Sequence, residues 1–420
     1  MNDGPATAAE AGEGVQELID RLHREAPLTD VHAHPSMKSY LFGRDLWTHV
    51  RGGRNTDPEA SRSDFEVLQR GGVRVVWTAH YVVEDQLVDD AHENALLRTF
   101  ARCYFQRYGV DIFVKLRVGK PFDRLLEIMS KLEAEVTRGP QEPHQRPIEF
   151  ARNPAHLRQI LGETDNRVAF VHTVEGAHAL TRDGGDELQN LEALAARGVA
   201  MLTLNHFYWN GYAEQDDAMP SSMPCRSAFN TDDAEAVLTD RGRALLHKAR
   251  ELGILLDLAH CTESARDAIY AEMGTAGPLV ISHTGVRALR NKTYNLRDED
   301  IDAIAATNGA IGVILMSYWL GEDHDMTELR GAEAVWRVMR HIHERTQSWD
   351  HIMIGTDFDG FTDPPDDLPD ASFLDRITLR MIWGMKNELA MPGPDIEVAA
   401  RKVLGGNAMR VLETGWTGTD

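Results

Sequence analysis

The stretch Leu28-Thr29-Asp30-Val31-His32-Ala33-His34-Pro35 starts as an apolar strand and ends in two histidines one residue apart. Side chains two positions apart in an extended strand point to the same side, so both imidazoles face one place. Such a His-x-His pair is either half of a metal site or a turn that happens to hold two histidines. The residues at the ends of the later strands decide between these two interpretations.

Seven further apolar segments rich in Val, Ile and Leu follow, separated by segments with helical periodicity. Near-continuous apolar strands that alternate with helices are typical of a parallel sheet covered on both faces. Eight such units predict an α/β fold of the (β/α)8 TIM-barrel type, a single domain with loop insertions. The predicted strands are residues 28–34, 73–82, 167–175, 199–206, 253–260, 278–283, 309–316 and 351–357, and the helices between them include residues 91–107, 187–197, 239–252, 263–273, 298–306 and 332–345.

A doubly wound open sheet is the alternative architecture, but no G-x-G-x-x-G or G-x-x-x-x-G-K-[ST] motif follows a strand. We expect a flexible tail over residues 1–14, one (β/α)8 domain over residues 15–413 and a short tail over residues 414–420. Residues 110–118 resemble a ninth strand, but we place them at a helix end or in an excursion. Residues 211–233 form a long polar insertion, which predicts a lid.

The composition excludes several classes of function. The chain has 44 Lys and Arg against 66 Asp and Glu, a net charge of −22, so its surface repels nucleic acid and anionic membranes. The hydrophobic content of 42% is that of a globular protein. Because no apolar run approaches the roughly 20 residues of a membrane span and no signal sequence is evident, we expect a soluble, cytoplasmic protein.

The three cysteines do not indicate disulfides or a nucleophile. Cys103, Cys225 and Cys261 are sparse and lack metal-binding spacing. Strand parity points Cys261 away from the preceding His260, so we expect a packed thiol. No G-x-S-x-G elbow is present either, which leaves serine catalysis without support.

Six of the eight predicted strands end in a side chain that can bind a metal or move a proton. In a parallel barrel all carboxyl ends lie on one rim, where active sites are built. Imidazoles and carboxylates without cysteine suit a catalytic ion: Zn²⁺ first, with Fe²⁺, Mn²⁺ and Co²⁺ as alternatives. Five ligands exceed what one tetrahedral ion uses, so two divalent metal ions that share a carboxylate are expected. The seven strand-end residues are His32, His34, Glu175, His206, His260, His283 and Asp357.

Six short stretches occur in order along the chain: VEGAH at 174–178, LTLNH at 202–206, LGILLDLAH at 252–260, VISH at 280–283, GTDFDG at 355–360 and GGNAMRV at 405–411. In these stretches the sequence resembles the renal (membrane) dipeptidase family, peptidase family M19, within the amidohydrolase-like metal-dependent hydrolases. The resemblance covers nearly the whole chain, from about residue 15 to residue 413.

The resemblance implies direct attack of a metal-bridged hydroxide on a small amide or dipeptide-like substrate, without a covalent enzyme intermediate. It also implies a homodimer. The alternatives are a relative that acts on another amide, lactam or lactone, and a non-catalytic metal-binding barrel. The implied roles are Glu175 as the bridging carboxylate, His260 and His283 as ligands of one ion, His32 and His34 as ligands of the other, His206 as the partner of the scissile carbonyl oxygen and Asp357 as the carboxylate that handles the proton.

The first departure from the family pattern lies in the opening stretch. The family has His-x-Asp, and here His34 takes the place of the carboxylate. The site is therefore one unit less negative, so it should hold its outer ion less tightly or prefer a more nitrogen-loving metal.

The second departure concerns the substrate. The family places an arginine just before an Asn to grip the free carboxylate of a dipeptide, and here Tyr294 precedes Asn295. His206 and Tyr294 are the expected substrate-binding residues, but a phenol cannot replace a bidentate guanidinium. Four acids at 363–370 lie near the same rim, which adds to the hypothesis that the substrate is a neutral, esterified, amidated or cationic amide. The alternative partners for a carboxylate are Arg290, Lys292 and Arg297.

Overall fold

A parallel barrel forms the centre of the molecule in the computed structural model, which describes residues 13–50, 60–106, 111–117, 119–182, 184–219, 227, 234–321, 331–360 and 362–419. The described strands are β1 (Thr29–Ala33), β2 (Val75–Tyr81), β3 (Ile148–Phe150), β4 (Val168–Glu175), β5 (Met201–Thr203), β6 (Leu255–Asp257), β7 (Leu279–Thr284), β8 (Ala310–Val313) and β9 (Ile352–Ile354). The barrel closes because β2 pairs with both β1 and β4. All eight predicted strands and the predicted barrel are confirmed.

The sequence did not predict β3. This three-residue strand pairs with the beginning of β4, and β5 pairs with the end of β4. Both bond to the same edge, since Phe170 O accepts from Ala151 N and His172 O from Ala200 N, each at 2.8 Å. A strand this short and only partly buried carries no readable hydrophobic pattern. β3 therefore extends the edge of β4 without entering the barrel.

Helices cover the outside of the barrel. The predicted single helix over 91–107 is wrong: two helices meet at Asn94, whose Oδ1 accepts from Leu96 N and Leu97 N at 3.1 Å and so begins a new helix. The placement of 110–118 outside the sheet is confirmed for the described residues 111–117, which hold the helix Ile112–Arg117. The α-helices are Glu13–Glu25, Pro35–Phe42, Phe65–Arg70, Asp85–Glu93, Ala95–Gln106, Ile112–Arg117, Pro121–Arg138, Pro154–Gly162, Glu187–Ala196, Asp240–Glu251, Glu263–Met273, Asp298–Ala306, Ser317–Leu320, Gly331–Thr346, Asp375–Asn387, Gly393–Arg401 and Asn407–Gly415.

Two hydrophobic layers follow from the alternation of side chains along the strands. Val75 and Trp77 of β2 pack with Val31 and Val280 in one cluster, inside the barrel. Val76, between them, belongs to the larger cluster shared with the surrounding helices. The carboxyl ends of the strands lie beyond this inner cluster, and at these ends polar side chains take the place of apolar ones. The predicted bounds of the domain and its two tails stay predictions.

Candidate metal centre

One buried carboxylate, Glu175 at the end of β4, lies at the centre of the strand-end cluster and is 3% exposed. All five predicted histidines turn Nε2 towards it, and all are buried. Nε2 lies 3.3 Å from Oε1 for His32 and for His260, 3.6 Å from Oε1 for His283, 3.4 Å from Oε2 for His34 and 3.8 Å from Oε2 for His206.

Two irregularities in the strands turn histidines inwards. Val31 packs inside the barrel, yet the next residue, His32, also reaches the centre. The register between β1 and β2 shifts between Asp30 and Ala33, which breaks the alternation at this point. The register of β7 against β8 shifts likewise around His283. Bulges of this kind are frequent beside active sites because they re-aim a side chain.

Two other site residues have left-handed backbones. His260 has φ 63° and Asp357 has φ 59°, each three residues beyond the end of its strand. This conformation costs about 1 to 3 kcal/mol in a residue with a side chain, so the surroundings must hold it. Asp357 N donates to His32 O at 2.8 Å, and His260 O accepts from Asp216 N at 2.7 Å. Both strand ends are thereby turned so that their side chains reach the centre.

Asp357 lies beside the first-strand histidines. Its Oδ1 is 3.1 Å from Nε2 of His34 and 4.0 Å from Nε2 of His32. Gly360 leaves the room for this contact, because a Cβ at that position would lie 2.2 Å from Asp357 Oδ1 and 2.9 Å from His34 Cδ2. The GTDFDG stretch therefore supplies both the carboxylate and the space that it occupies.

The donor atoms have the spacing that a divalent ion requires. Zn²⁺ bound tetrahedrally by nitrogen and oxygen at about 2.0 to 2.1 Å holds its ligand atoms about 3.3 Å from one another. The Nε2 atoms of His32 and His34 are 3.1 Å apart, and those of His260 and His283 are 3.0 Å apart. Groups of three donors within 4.8 Å of one another are His32, Glu175 and His283; His32, His34 and Asp357; and Glu175, His206 and His260. The histidines and carboxylates of this cluster therefore have the donor atoms and the spacing to bind divalent metal ions.

The charges of the cluster support one another. Burial by itself raises the pKa of the Glu175 carboxyl, but the histidines around it, His206 foremost, lower that pKa well below its ordinary value. Burial lowers the pKa of His206, and the carboxylates of Glu84 and Glu175 outweigh it, so the pKa is raised. Glu175 is therefore an anion at neutral pH, as a metal ligand must be.

Four buried residues that the sequence analysis missed support these side chains. Glu84 Oε1 lies 2.7 Å from His206 Nδ1. Asp30 accepts from His32 N at 3.2 Å and from Thr356 Oγ1 at 2.6 Å, which fixes the end of β1 against the end of β9. Ser282 Oγ donates to Asp257 Oδ2 at 2.6 Å and lies 2.8 Å from Nδ1 of His283. The available signal was a polar residue inside an apolar strand, as in LLDLAH and VISH.

Tyr294 packs on an aromatic ring next to this cluster. Its ring stacks on Trp319 with centroids 4.5 Å apart, and the Trp319 ring lies 6.2 Å from the rings of His260 and His283. Tyr294 and Trp319 thus form an aromatic stack next to the histidines, and a contact of Tyr294 with the substrate stays a prediction. Arg297 cannot serve a carboxylate there, since it pairs with Asp300 at 3.1 Å and with Asp267 at 2.7 Å.

Other predictions near the rim have mixed outcomes. Asp367 accepts from Gly331 N at 2.6 Å at the start of the helix Gly331–Thr346. Asp370 accepts from Ser372 N at 2.9 Å and caps the short 3₁₀ helix Ala371–Phe373, so two of the four acids at 363–370 are helix caps. Cys261 is buried, and burial raises the pKa of its thiol to about 12, which fits a packed thiol. Cys225 and most of the predicted lid, residues 220–226 and 228–233, lie outside the described residues.

A parallel barrel with histidines and carboxylates gathered at its carboxyl end defines the class of metal-dependent hydrolases on this fold. The sequence model of the membrane dipeptidase family, peptidase family M19, matches residues 16–416. The chain belongs to this family, and the resemblance seen in the sequence is confirmed. Among the described residues, no helix has both the length and the apolar character needed to cross a bilayer.

Individual relatives are distant. An uncharacterized protein in the pqqA 5' region of Klebsiella pneumoniae is 29% identical, over 60% of this chain and 84% of that protein. The dipeptidase tcpJ of Claviceps purpurea is 26% identical, over 59% of this chain and 51% of that protein, about half its length. A metallopeptidase from Rhodobacter sphaeroides, solved with a phosphinate mimic of the dipeptide L-Ala-D-Ala, shares the fold with a TM-score of 0.66, 21% identity, and coverage of 93% of this chain and 99% of that one.

Proposed function

We propose that this hydrolase binds two divalent metal ions, Zn²⁺ first, and cleaves a small amide or dipeptide-like substrate. Glu175 would contact both ions, His260 and His283 one of them, and His32 and His34 the other. One observation carries the proposal: five imidazole Nε2 atoms converge within 3.8 Å on a single buried carboxylate. Four histidine ligands around one shared carboxylate, five ligand side chains in all, suit two ions better than one.

Bound ions of this kind polarise a carbonyl group and lower the pKa of water. Two side chains of the chain supply the remaining steps. Asp357 Oδ1 lies 3.1 Å from His34 Nε2. This oxygen is placed to take a proton from the attacking water and return it to the leaving amine. His206 Nε2 lies on the Oε2 side of Glu175 and is placed to donate to the carbonyl oxygen as charge develops there.

Metal content tests the binuclear assignment. Protein purified without chelator should contain two ions per chain by elemental analysis, and Glu175→Gln should lose both. A reproducible value near one ion per chain would contradict the binuclear site. Asp357→Asn is the matched variant: we expect it to keep its metal and lose turnover, because its role is proton transfer.

We further propose a substrate without a free carboxylate. Tyr294 occupies the place of the family's arginine and stacks on Trp319, and Arg297 is held by Asp267 and Asp300. A panel of dipeptides, each with a free or an amidated C-terminus, tests this substrate class. Equal or faster cleavage of the amides is expected. Efficient cleavage of free dipeptides that is lost on amidation would contradict the substrate class and leave the metal assignment intact.

A further inference from the structure

Ser282 of β7 joins two histidines that the proposed function assigns to different ions. It is fully buried and directly precedes His283. Its hydroxyl oxygen lies 2.8 Å from Nδ1 of His283 and 3.1 Å from Nδ1 of His32. The same oxygen lies 2.6 Å from Oδ2 of Asp257 at the end of β6. One hydroxyl group therefore contacts a carboxylate and two imidazoles at once.

The hydrogen bonds of Asp257 decide where the proton of this hydroxyl lies. Asp257 Oδ1 accepts from Ala259 N at 3.1 Å and from Ser282 N at 2.8 Å, and Oδ2 accepts from Thr203 Oγ1 at 2.6 Å. The 2.6 Å contact with Oδ2 is the shortest of the three contacts of this hydroxyl, so Ser282 donates its single proton there. The hydroxyl then has only lone pairs left for the two imidazoles.

Both imidazoles must consequently donate to Ser282. A neutral ring that carries its proton on Nδ1 has a lone pair on Nε2, and a metal ligand needs that lone pair. The Nε2 atoms of His32 and His283 lie 3.3 Å and 3.6 Å from Glu175 Oε1. We propose that Ser282, oriented by Asp257, is a positioning residue that fixes both rings in the tautomer that binds metal. This inference rests on the proposed function for the assignment of the two rings as ligands.

The other two proposed histidine ligands lack such support. Nδ1 of His34 and Nδ1 of His260 have no hydrogen-bond partner within the described part of the chain. Ser282 therefore fixes the tautomer of one histidine in each proposed pair of ligands, His32 in one pair and His283 in the other. Removing an orienting partner of a metal-bound histidine typically lowers metal affinity about 10- to 100-fold.

Three variants separate tautomer control from general damage. Ser282→Ala removes the acceptor of both rings and should lower Zn²⁺ affinity about 10- to 100-fold in competition with a chromogenic chelator. Asp257→Asn touches neither ring, but its amide would donate to Ser282 and turn the hydroxyl proton towards an imidazole, so affinity should fall as well. Thr203→Val is the matched control, since Thr203 donates to the same Asp257 oxygen and we expect Zn²⁺ affinity to stay unchanged.

A second measurement needs no metal. Long-range proton–nitrogen NMR spectra of the metal-free protein, with histidine labelled by ¹⁵N and at a pH where both rings are neutral, should show protonated Nδ1 for both rings, assigned with His32→Gln and His283→Gln. Protonated Nε2 on either ring would overturn the proposal, and so would equal losses of Zn²⁺ affinity in Ser282→Ala and Thr203→Val. A wild-type protein that binds no Zn²⁺ would contradict the proposed function instead, while the NMR result would still test the tautomers.

Discussion

Glu84 Oε1 lies 2.7 Å from Nδ1 of His206, and both side chains are buried. The same carboxylate group accepts from Phe207 N at 3.2 Å and from the Tyr81 hydroxyl group. Burial raises the pKa of Glu84, but His206 foremost outweighs it and lowers that pKa to about 2. Glu84 is therefore an anion that holds the His206 ring with Nε2 towards Glu175.

Replacing this anion should impair turnover and leave metal content unchanged. Glu84→Gln keeps the shape of the side chain and removes its charge. A hydrogen bond to a charged group contributes about 1.5 to 3 kcal/mol, so we expect kcat to fall about 10- to 100-fold. Steady-state kinetics and elemental analysis measure the two effects. Tyr81→Phe is the control, because it removes one hydrogen bond and leaves the carboxylate; an equal loss in both variants would contradict a role for the charge.

The identity of residue 34 should set how tightly the outer ion binds. His34→Asp restores the family's carboxylate and adds one negative charge beside Glu175 and Asp357. We expect the variant to bind its weaker ion more tightly and to shift its metal preference towards oxygen-loving Mn²⁺. Titrations of metal-free protein with Zn²⁺ and Mn²⁺ measure both changes. Unchanged affinities for both metals would show that residue 34 does not contact an ion.

The space at Gly360 should be required for activity. In Gly360→Ala the new methyl group would lie 2.2 Å from Asp357 Oδ1, so the carboxylate must move away from His34. A displacement of about 1 Å at a reacting group can cost about 100-fold in rate, and we expect a loss of that order in kcat. Gly277→Ala is the control, because a Cβ there meets nothing within 4 Å. Full activity in Gly360→Ala would remove Asp357 from the proton pathway.

A histidine pair on the outside of the barrel should make the protein less stable in acid. His80 Nε2 lies 2.8 Å from His172 Nδ1, and burial lowers the pKa of both side chains, of His80 well below its ordinary value. The unfolded chain takes up protons below about pH 6.5 while the folded pair does not, so stability falls as the pH falls. The slope approaches about 1.4 kcal/mol per pH unit for each histidine.

Urea unfolding of chelator-treated protein at about pH 7.5 and about pH 5.5 measures this loss, on both sides of the ordinary histidine pKa. In His80→Gln the loss between the two pH values should be smaller than in the wild-type protein. His247→Gln is the matched control, because His247 is exposed. Equal losses in the wild-type protein and in His80→Gln would show that this pair does not govern acid stability.

Much of the fold and of the site could be predicted because both depend on local patterns. Apolar strands that alternate with helices specify a parallel barrel, and a barrel places all carboxyl ends on one rim. His32, Glu175, His260 and His283 could be gathered from their positions along the chain alone. The three-residue β3 and the break at Asn94 could not be predicted, since neither changes the hydrophobic period.

The sequence by itself determined the residue types of the site and the strand ends on which they lie. Only the tertiary structure decided which way they face. Strict alternation cannot turn both Val31 and His32 inwards, and the shift in register of β1 does so. Glu84 reaches His206 from 122 residues away, and Ser282 of β7 reaches His32 of β1, so the pattern around each histidine does not identify its partner. Polar groups that are buried away from water need hydrogen-bond partners inside the protein, and only the folded chain brings these partners together.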